Sequence, residues 1–300
     1  MIPEHVRLIG VLIALGIGWG ATQPLGKIAV GAGHGPFGLI FWQLVICVIV
    51  LGGISAARGK GIVWRRDAWV FAGIVAVLGT LVPNATFYVS VERLPAGIMS
   101  ILISAVPMLS FPIAMALGMD RFSWRRLAGI LLGLSGVGLI AAPGAGIYAA
   151  GMVAFIPLAL IGPLFYAIEA NYVARFGTSG MDAVQAMFMA SLAGLILCLP
   201  ITLLSGQWID PRLAPGREEA ALIASSVVHA LCYAGYVWLA ARAGAVFAAQ
   251  CSYLVTGAGV LWAMGLLGER FAPMVWLSLV VMLVGVALVQ PRARATALAD

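Results

Sequence analysis

Ten apolar stretches of 18 to 27 residues follow one another along the 300-residue chain, at about 8–29, 36–57, 68–91, 95–118, 124–142, 148–174, 181–205, 219–241, 244–267 and 273–290. A helix of about 20 apolar residues crosses a bilayer, so this pattern predicts ten transmembrane helices joined by short loops, with no room for a soluble domain. Only 9% of the residues are charged and 63% are hydrophobic. The first figure excludes an ordinary soluble protein, in which about 25% are charged, and the second excludes a disordered chain. A membrane β-barrel needs segments that alternate polar and apolar, whereas 127–142 is apolar on every face. Cys47, Cys198, Cys232 and Cys251 all lie inside apolar runs and His5, His34 and His229 are scattered. Neither a disulfide framework nor a metal site is therefore expected, and no cofactor. The net charge of +6 comes from basic residues that flank the spans, which is how topology is written rather than a nucleic-acid surface.

The breaks carry charges, glycines and prolines. Arg58-Gly-Lys-Gly and Trp64-Arg-Arg-Asp separate the second and third spans, Asp120-Arg and Arg125-Arg126 the fourth and fifth, and Pro143-Gly-Ala-Gly the fifth and sixth. The longest loop, 206–218, contains Asp210-Pro and Pro215-Gly turns. The first span is too long for a signal peptide and continues through Trp19, Gln23 and Lys27 without a small-residue cleavage site. With a cytoplasmic N-terminus, the cytoplasmic segments hold 12 Lys and Arg and the opposite side holds 5, namely Lys27, Arg93, Arg212, Arg217 and Arg270. This asymmetry predicts both termini in the cytoplasm.

The sequence also repeats. A shift of 149 residues places 93–140 on 242–289 without a gap, with 12 identities in 48 positions. Asp120-Arg-Phe falls on Glu269-Arg-Phe, and Thr256 stands where the first copy has Pro107. Five spans per half is an odd number, so the halves are inserted with opposite orientation, an architecture of secondary transporters whose substrate site lies between the repeats. The expected fold is an all-α membrane protein of ten transmembrane helices, two inverted five-helix repeats over 1–145 and 146–300 around a central cavity.

Trp19, Gly20 and Lys27 in the first helix are followed by Asn84, Phe87 and Tyr88 in the third, Ala96 and Pro107 in the fourth, Asp120 before the fifth, and Gly268-Glu269-Arg270 in the second copy. In order and doubling this resembles the EamA-type ten-helix exporters of the drug/metabolite transporter superfamily, and within it looks closest to amino-acid exporters such as the YddG-like aromatic amino-acid exporters. The resemblance covers nearly the whole chain. It implies a cavity formed by helices 1–4 and 6–9 with helices 5 and 10 outside, in a multi-pass protein of the bacterial cytoplasmic (inner) membrane. The partners it implies are a small-molecule substrate and the lipid bilayer; a monomer suffices.

Polar groups inside a bilayer are costly unless satisfied, so they are the functional candidates. Residues four apart share a helix face. Trp19, Gln23 and Lys27 form one such stripe on helix 1, and Asn84, Tyr88 and Glu92 another on helix 3. Ser100, Ser104 and Pro107 share a face of helix 4, and His229, Tyr233 and Tyr236 one of helix 8; Tyr166 and Glu169 lie on helix 6, Gln250 and Tyr253 on helix 9. Rings and amides together suit a flat amphipathic solute. Plainer readings stand beside these. Ser100, Ser104 and Gln250 fit helix–helix hydrogen bonding as well, Trp64, Trp69 and Trp124 fit an interfacial belt, and His229 fits a packing residue. Glu169 is the sharpest candidate, because a carboxylate in a span costs about 2.5–3.5 kcal/mol, although Arg175 or Arg242 could pair with it.

Gly129 and Gly133 allow close helix approach, and Pro24, Pro83, Pro107, Pro112, Pro157 and Pro163 mark bending points. Lys27 with Glu92 at one mouth and Glu169 with Arg242 at the other are expected as gating pairs, with Pro107 and Pro163 as hinges. The expected function is secondary export of small metabolites, aromatic amino acids foremost, by alternating access. Export of drugs or other metabolites is the alternative, followed by a receptor or an intramembrane enzyme. For an enzyme the sequence offers no paired nucleophile and base and no HExxH, and no GxxxxGK[ST] loop serves an ATP-driven pump.

Overall fold

The computed structural model describes residues 4–142, 151–212, 216–243, 247–248 and 250–289. Among them the chain forms ten long helices and no strand: α1 Glu4–Ala29, α2 Pro36–Ala57, α3 Arg66–Arg93, α4 Ala96–Ala116, α5 Trp124–Ala141, α6 Phe155–Phe176, α7 Ala183–Leu204, α8 Arg217–Ala243, α9 Cys251–Leu267 and α10 Pro273–Val289. Eight of them are long and apolar enough to cross a membrane, and α9 and α10 are shorter apolar helices. The expected division of the repeats at 145/146, the Pro143-Gly-Ala-Gly break, the first residues of the ninth span, and Arg292 and Arg294 lie outside the described residues.

Local chemistry ends the helices where the sequence punctuates. Pro36 opens α2, where its missing N–H has no intrahelical partner to lose. The Asp182 carboxylate caps α7 by accepting from the Gln185 N–H at 3.0 Å. Gly268 closes α9 at φ 67°, a conformation that disfavours any residue with a Cβ.

Two prolines decide the two irregular turns. Pro83 cannot donate to the Gly79 carbonyl, and the turn that holds Gly79, Val77–Leu81, is a π-turn. Pro107 likewise cannot donate to Ile103, and Ile103–Ala105 tightens into a 3₁₀ turn. Both distortions lie near mid-helix, one in α3 and one in α4.

Helix packing obeys the inverted repeat. α1 of the first half packs on α8 and α9 of the second, and α6 of the second packs on α3 and α4 of the first. α3 meets α7 as α8 meets α2, while the equivalent helices α2 and α7, α4 and α9, and α5 and α10 face each other. The loops repeat the exchange. The α1–α2 corner reaches the start of α8, where His34 Nε2 lies 2.8 Å from Glu219 Oε1; the α6–α7 corner reaches the start of α3, where the Ser179 hydroxyl donates to the Asp67 carbonyl at 3.3 Å. The segment after α7 offers Gln207 Oε1 to the Phe37 N–H of α2 at 2.8 Å. In return the Gly61 carbonyl after α2 accepts from Gln185 of α7, also at 2.8 Å.

Glycines set the closest approaches. A Cβ on Gly20 of α1 would fall 2.8 Å from the Gly259 nitrogen and 2.9 Å from the Val255 carbonyl oxygen of α9. On the outer pair, a Cβ on Gly129 of α5 would fall 2.6 Å from the Gly285 carbonyl oxygen of α10, and Ser278 donates to the Gly136 carbonyl at 2.8 Å. Gly133 is packed against Met108 of α4, so the glycine stripe of α5 faces protein, whereas Gly138 on the same helix is exposed.

Candidate functional site

A small cavity lies where α2, α3, α6, α7 and α8 converge. Its wall contains Gln43 and Cys47 of α2, Gly79, Thr80 and Asn84 of α3, Tyr166 of α6, Met187 and Ser191 of α7, and His229 and Tyr233 of α8. The enclosed space is about 20 Å³, room for one or two water molecules. Both halves contribute to it, as an inverted repeat requires.

A chain of hydrogen bonds fixes the amide side of this wall. Gln43 Oε1 accepts from Asn84 Nδ2 at 3.2 Å and from the Tyr88 hydroxyl at 3.0 Å, and the Tyr166 hydroxyl donates to Asn84 Oδ1 at 3.3 Å. Tyr88 is 5% exposed and stands behind Gln43 rather than in the wall. Gln43 itself is absent from the sequence-based candidates. The available signal was a lone amide in the run from Phe41 to Cys47, four residues before Cys47 and on the same face.

The aromatic side is organised by Trp19 of α1. Its indole N–H donates to Nδ1 of His229 at 3.1 Å, and its ring meets Tyr233 and Tyr236 edge-on at centroid distances of 6.3 and 5.8 Å. An indole nitrogen only donates, so Nδ1 of His229 is the acceptor and the neutral ring carries its proton on Nε2. Glu169 lies one turn beyond Tyr166 on α6, close enough to Tyr166 and Tyr233 for electrostatic interaction with both. Its carboxylate rests against the π-turn of α3, where a Cβ on Gly79 would fall within 2.6 Å of both oxygens. Among the described residues Glu169 makes no hydrogen bond or ion pair.

Neither expected charge pair forms between side chains. Lys27 Nζ donates to the backbone carbonyls of Val91, Leu94 and Glu92 at 2.6, 2.9 and 3.2 Å, while the Glu92 carboxylate lies 3.6 Å from Arg93. The last carbonyls of α3 have no intrahelical partner and carry the negative end of the helix dipole, so they hold the ammonium in preference to an exposed carboxylate. Arg242 pairs with Glu4 at 3.1 Å instead of Glu169, because the last turn of α8 meets the first turn of α1 at the exposed end of the bundle.

The remaining candidates lie around rather than in the wall. Ser104 is buried and donates to the Ile101 carbonyl at 2.7 Å, and Ser100 donates to Ala96 at 3.0 Å, so both hydroxyls are satisfied within α4. Pro107 follows the 3₁₀ turn of α4, and Pro163 is buried in α6. Gln23 is half-buried on α1, one turn beyond Trp19, and Gln250 immediately precedes α9. Two polar residues outside the candidate list tie helices together. Asn171 Nδ2 spans α6 to α4 through the Ser110 hydroxyl at 2.7 Å and carbonyl at 3.1 Å. Glu269, from the α9–α10 corner, accepts from the Ala96 and Gly97 N–H groups at 2.8 and 3.0 Å and so caps the start of α4.

The corner between α3 and α4 is thus held from both sides, its carbonyls by Lys27 and its amides by Glu269. α4 meets α9 mainly through its first half, so these two helices approach each other at the Lys27 end.

A search of curated proteins gives no match. Among solved structures, a crystal structure of a protein 19% identical to this chain superimposes with a TM-score of 0.60, covering 93% of this chain and 96% of that one. At that identity the likeness is one of fold. The profile of the EamA-like transporter family matches twice, over residues 7–142 and 154–290, once for each set of five helices. The ten-helix chain therefore belongs to the EamA-like transporter family of the drug/metabolite transporter superfamily.

Proposed function

We propose that this membrane transporter exports small metabolites, aromatic amino acids foremost, across the bacterial cytoplasmic membrane by alternating access around the cavity between α2, α3, α6, α7 and α8. The observation that carries the reading is the make-up of the wall: amides fixed by the Gln43–Asn84–Tyr166 chain on one side, and on the other the rings of His229 and Tyr233 with Trp19 behind them. A flat solute with a polar end is met by edges and faces on one side and by oriented hydrogen-bonding groups on the other.

At about 20 Å³ the cavity is too small for an amino acid, so the helices must part to admit one. The π-turn of α3 and the 3₁₀ turn of α4 are the bending points, since each already lacks a regular backbone hydrogen bond. With both termini in the cytoplasm, the Lys27 end of α1 is the outer one, and the contact of α4 with α9 there makes it the closed end in this reading.

Counterflow tests the reading. Proteoliposomes preloaded with phenylalanine are expected to accumulate labelled phenylalanine, and a pH gradient across the same vesicles reports coupling to protons. Absence of exchange for every aromatic amino acid, from vesicles that exchange another metabolite, overturns the substrate.

A further inference from the structure

We propose that the Glu169 carboxylate seats an ammonium group of the transported solute, so that the protein selects primary-amine compounds, amino acids among them, over anions of the same shape. This rests on the reading of the cavity as the transport site.

Three observations converge on the assignment. First, Glu169 sits inside a span with no hydrogen bond or ion pair among the described residues, and Arg242, the expected counter-charge, is held by Glu4. A carboxylate in such a place is costly without a partner, so a partner brought by the solute gains the full benefit of the pairing. Second, no Lys or Arg lines the cavity, and the protein supplies no competing cation from the wall. Third, the oxygens of the wall amides are largely engaged: Gln43 Oε1 accepts two hydrogen bonds, and Asn84 Oδ1 accepts one and keeps one neutral acceptor position. The wall further presents the N–H groups of Gln43 Nε2 and His229 Nε2 and the neutral hydroxyls of Thr80, Ser191 and Tyr233. The one charged acceptor beside it is the Glu169 carboxylate, which meets the wall at Gly79. That set is complementary to a molecule with an ammonium at one point and an acceptor, such as a carboxylate, at another.

Gly79 is where the carboxylate meets the cavity wall: Glu169 stands just outside the lining residues, and its oxygens rest against this one. With a side chain at 79 the Glu169 oxygens would collide with it, and the π-turn places this residue at the point where α3 passes α6.

The test competes labelled phenylalanine counterflow with two probes of matched shape, phenethylamine, which keeps the ammonium, and 3-phenylpropanoate, which keeps the carboxylate. The unaltered protein is expected to be inhibited by phenethylamine at a concentration at least tenfold lower than by 3-phenylpropanoate. Glu169→Gln, similar in shape but neutral, is expected to bring the two probes within about twofold of each other, and Glu169→Asp to keep the preference for the amine. Size-exclusion profiles and thermal unfolding confirm that each variant is folded. Equal inhibition by both probes in the unaltered protein, or an undiminished amine preference in Glu169→Gln, overturns the proposal while leaving the transport reading in place. Exchange of labelled phenethylamine without exchange of phenylalanine overturns the amino-acid reading and leaves the ammonium seat standing, and exchange of neither overturns both.

Discussion

The indole N–H of Trp19 donates to Nδ1 of His229 at 3.1 Å, joining residues 210 positions apart in the two repeats. This bond ties α1 to α8 at cavity depth and occupies Nδ1 of His229, so the proton of the neutral ring is on Nε2. Trp19→Phe keeps a ring and removes the donor. The expected result is an apparent KM for phenylalanine raised roughly 2- to 12-fold, the equivalent of one neutral hydrogen bond, with protein abundance unchanged. Counterflow at varied substrate concentration, beside a quantitative blot, checks it.

Gln43 is the shared acceptor of two donors, one of them on the buried Tyr88. Gln43→Leu strands both, so it is expected to cost about 1–3 kcal/mol for each donor left without a partner, whereas Tyr88→Phe removes a donor and costs about 0.5–1.5 kcal/mol. The double variant is expected to be more stable than the sum of the single losses implies. Thermal unfolding of the four proteins in one detergent measures the cycle, and strict additivity would show that the chain is not coupled.

Glu269 and Lys27 hold the amides and carbonyls at the α3–α4 corner, so weakening either hold is expected to favour opening at that end. Cys47 lines the cavity and serves as reporter in a background without the other three cysteines. In intact cells, Glu269→Gln is expected to raise the rate of Cys47 alkylation by a membrane-impermeant maleimide about tenfold, and Lys27→Met to act in the same direction. An unchanged rate in both variants shows that the corner does not gate access.

Gly20 and Gly138 form a matched pair for packing. Gly20→Val forces a side chain into the α9 backbone and is expected to destabilise the protein by about 1–3 kcal/mol. Gly138→Val meets nothing within 4 Å and is expected to be neutral. Unfolding midpoints of the two variants should differ accordingly.

Asp182 gives a pH-dependent contribution outside the membrane. Desolvation pushes its carboxyl up, but the Lys60 and Arg58 charges and the Gln185 N–H together outweigh this and hold it below the ordinary carboxylate value. The folded state therefore favours the charged form. Its contribution is complete above the unfolded carboxylate pKa of about 3.9 and is lost as pH falls through the lowered folded value. Because the group is partly exposed, Asp182→Asn is expected to cost only about 0.2–1 kcal/mol at pH 7, with the difference narrowing at pH 3. A difference that widened on acidification would contradict the sign.

The ten helices were legible from the amino-acid sequence alone, because a bilayer leaves backbone N–H and C=O groups no partner but their own helix, and the length of each apolar run then states roughly where a helix lies. The start of the sixth was not, since the apolar run from 148 continues through a turn over 151–154 and the helix begins only at Phe155. The repeat was legible for a similar reason, since an odd number of spans per half dictates inversion. Pro83 and Pro107 marked irregular turns but could not say that one would widen to a π-turn and the other tighten to a 3₁₀ turn, which depends on what packs beside the freed carbonyl. At the site, helical spacing brought Asn84, Tyr166, His229 and Tyr233 onto inward faces, and all four line the cavity. Spacing says nothing of how far each helix is rotated about its axis or slid along its neighbours. Only the tertiary structure could therefore decide that Gln43 joins the wall, that Tyr88 stands behind it, and that Arg242 finds Glu4. For the same reason only the fold could bring Lys27 to the open carbonyls of a helix end rather than to a carboxylate, because those carbonyls become a binding site for a cation only when another helix delivers one to that end.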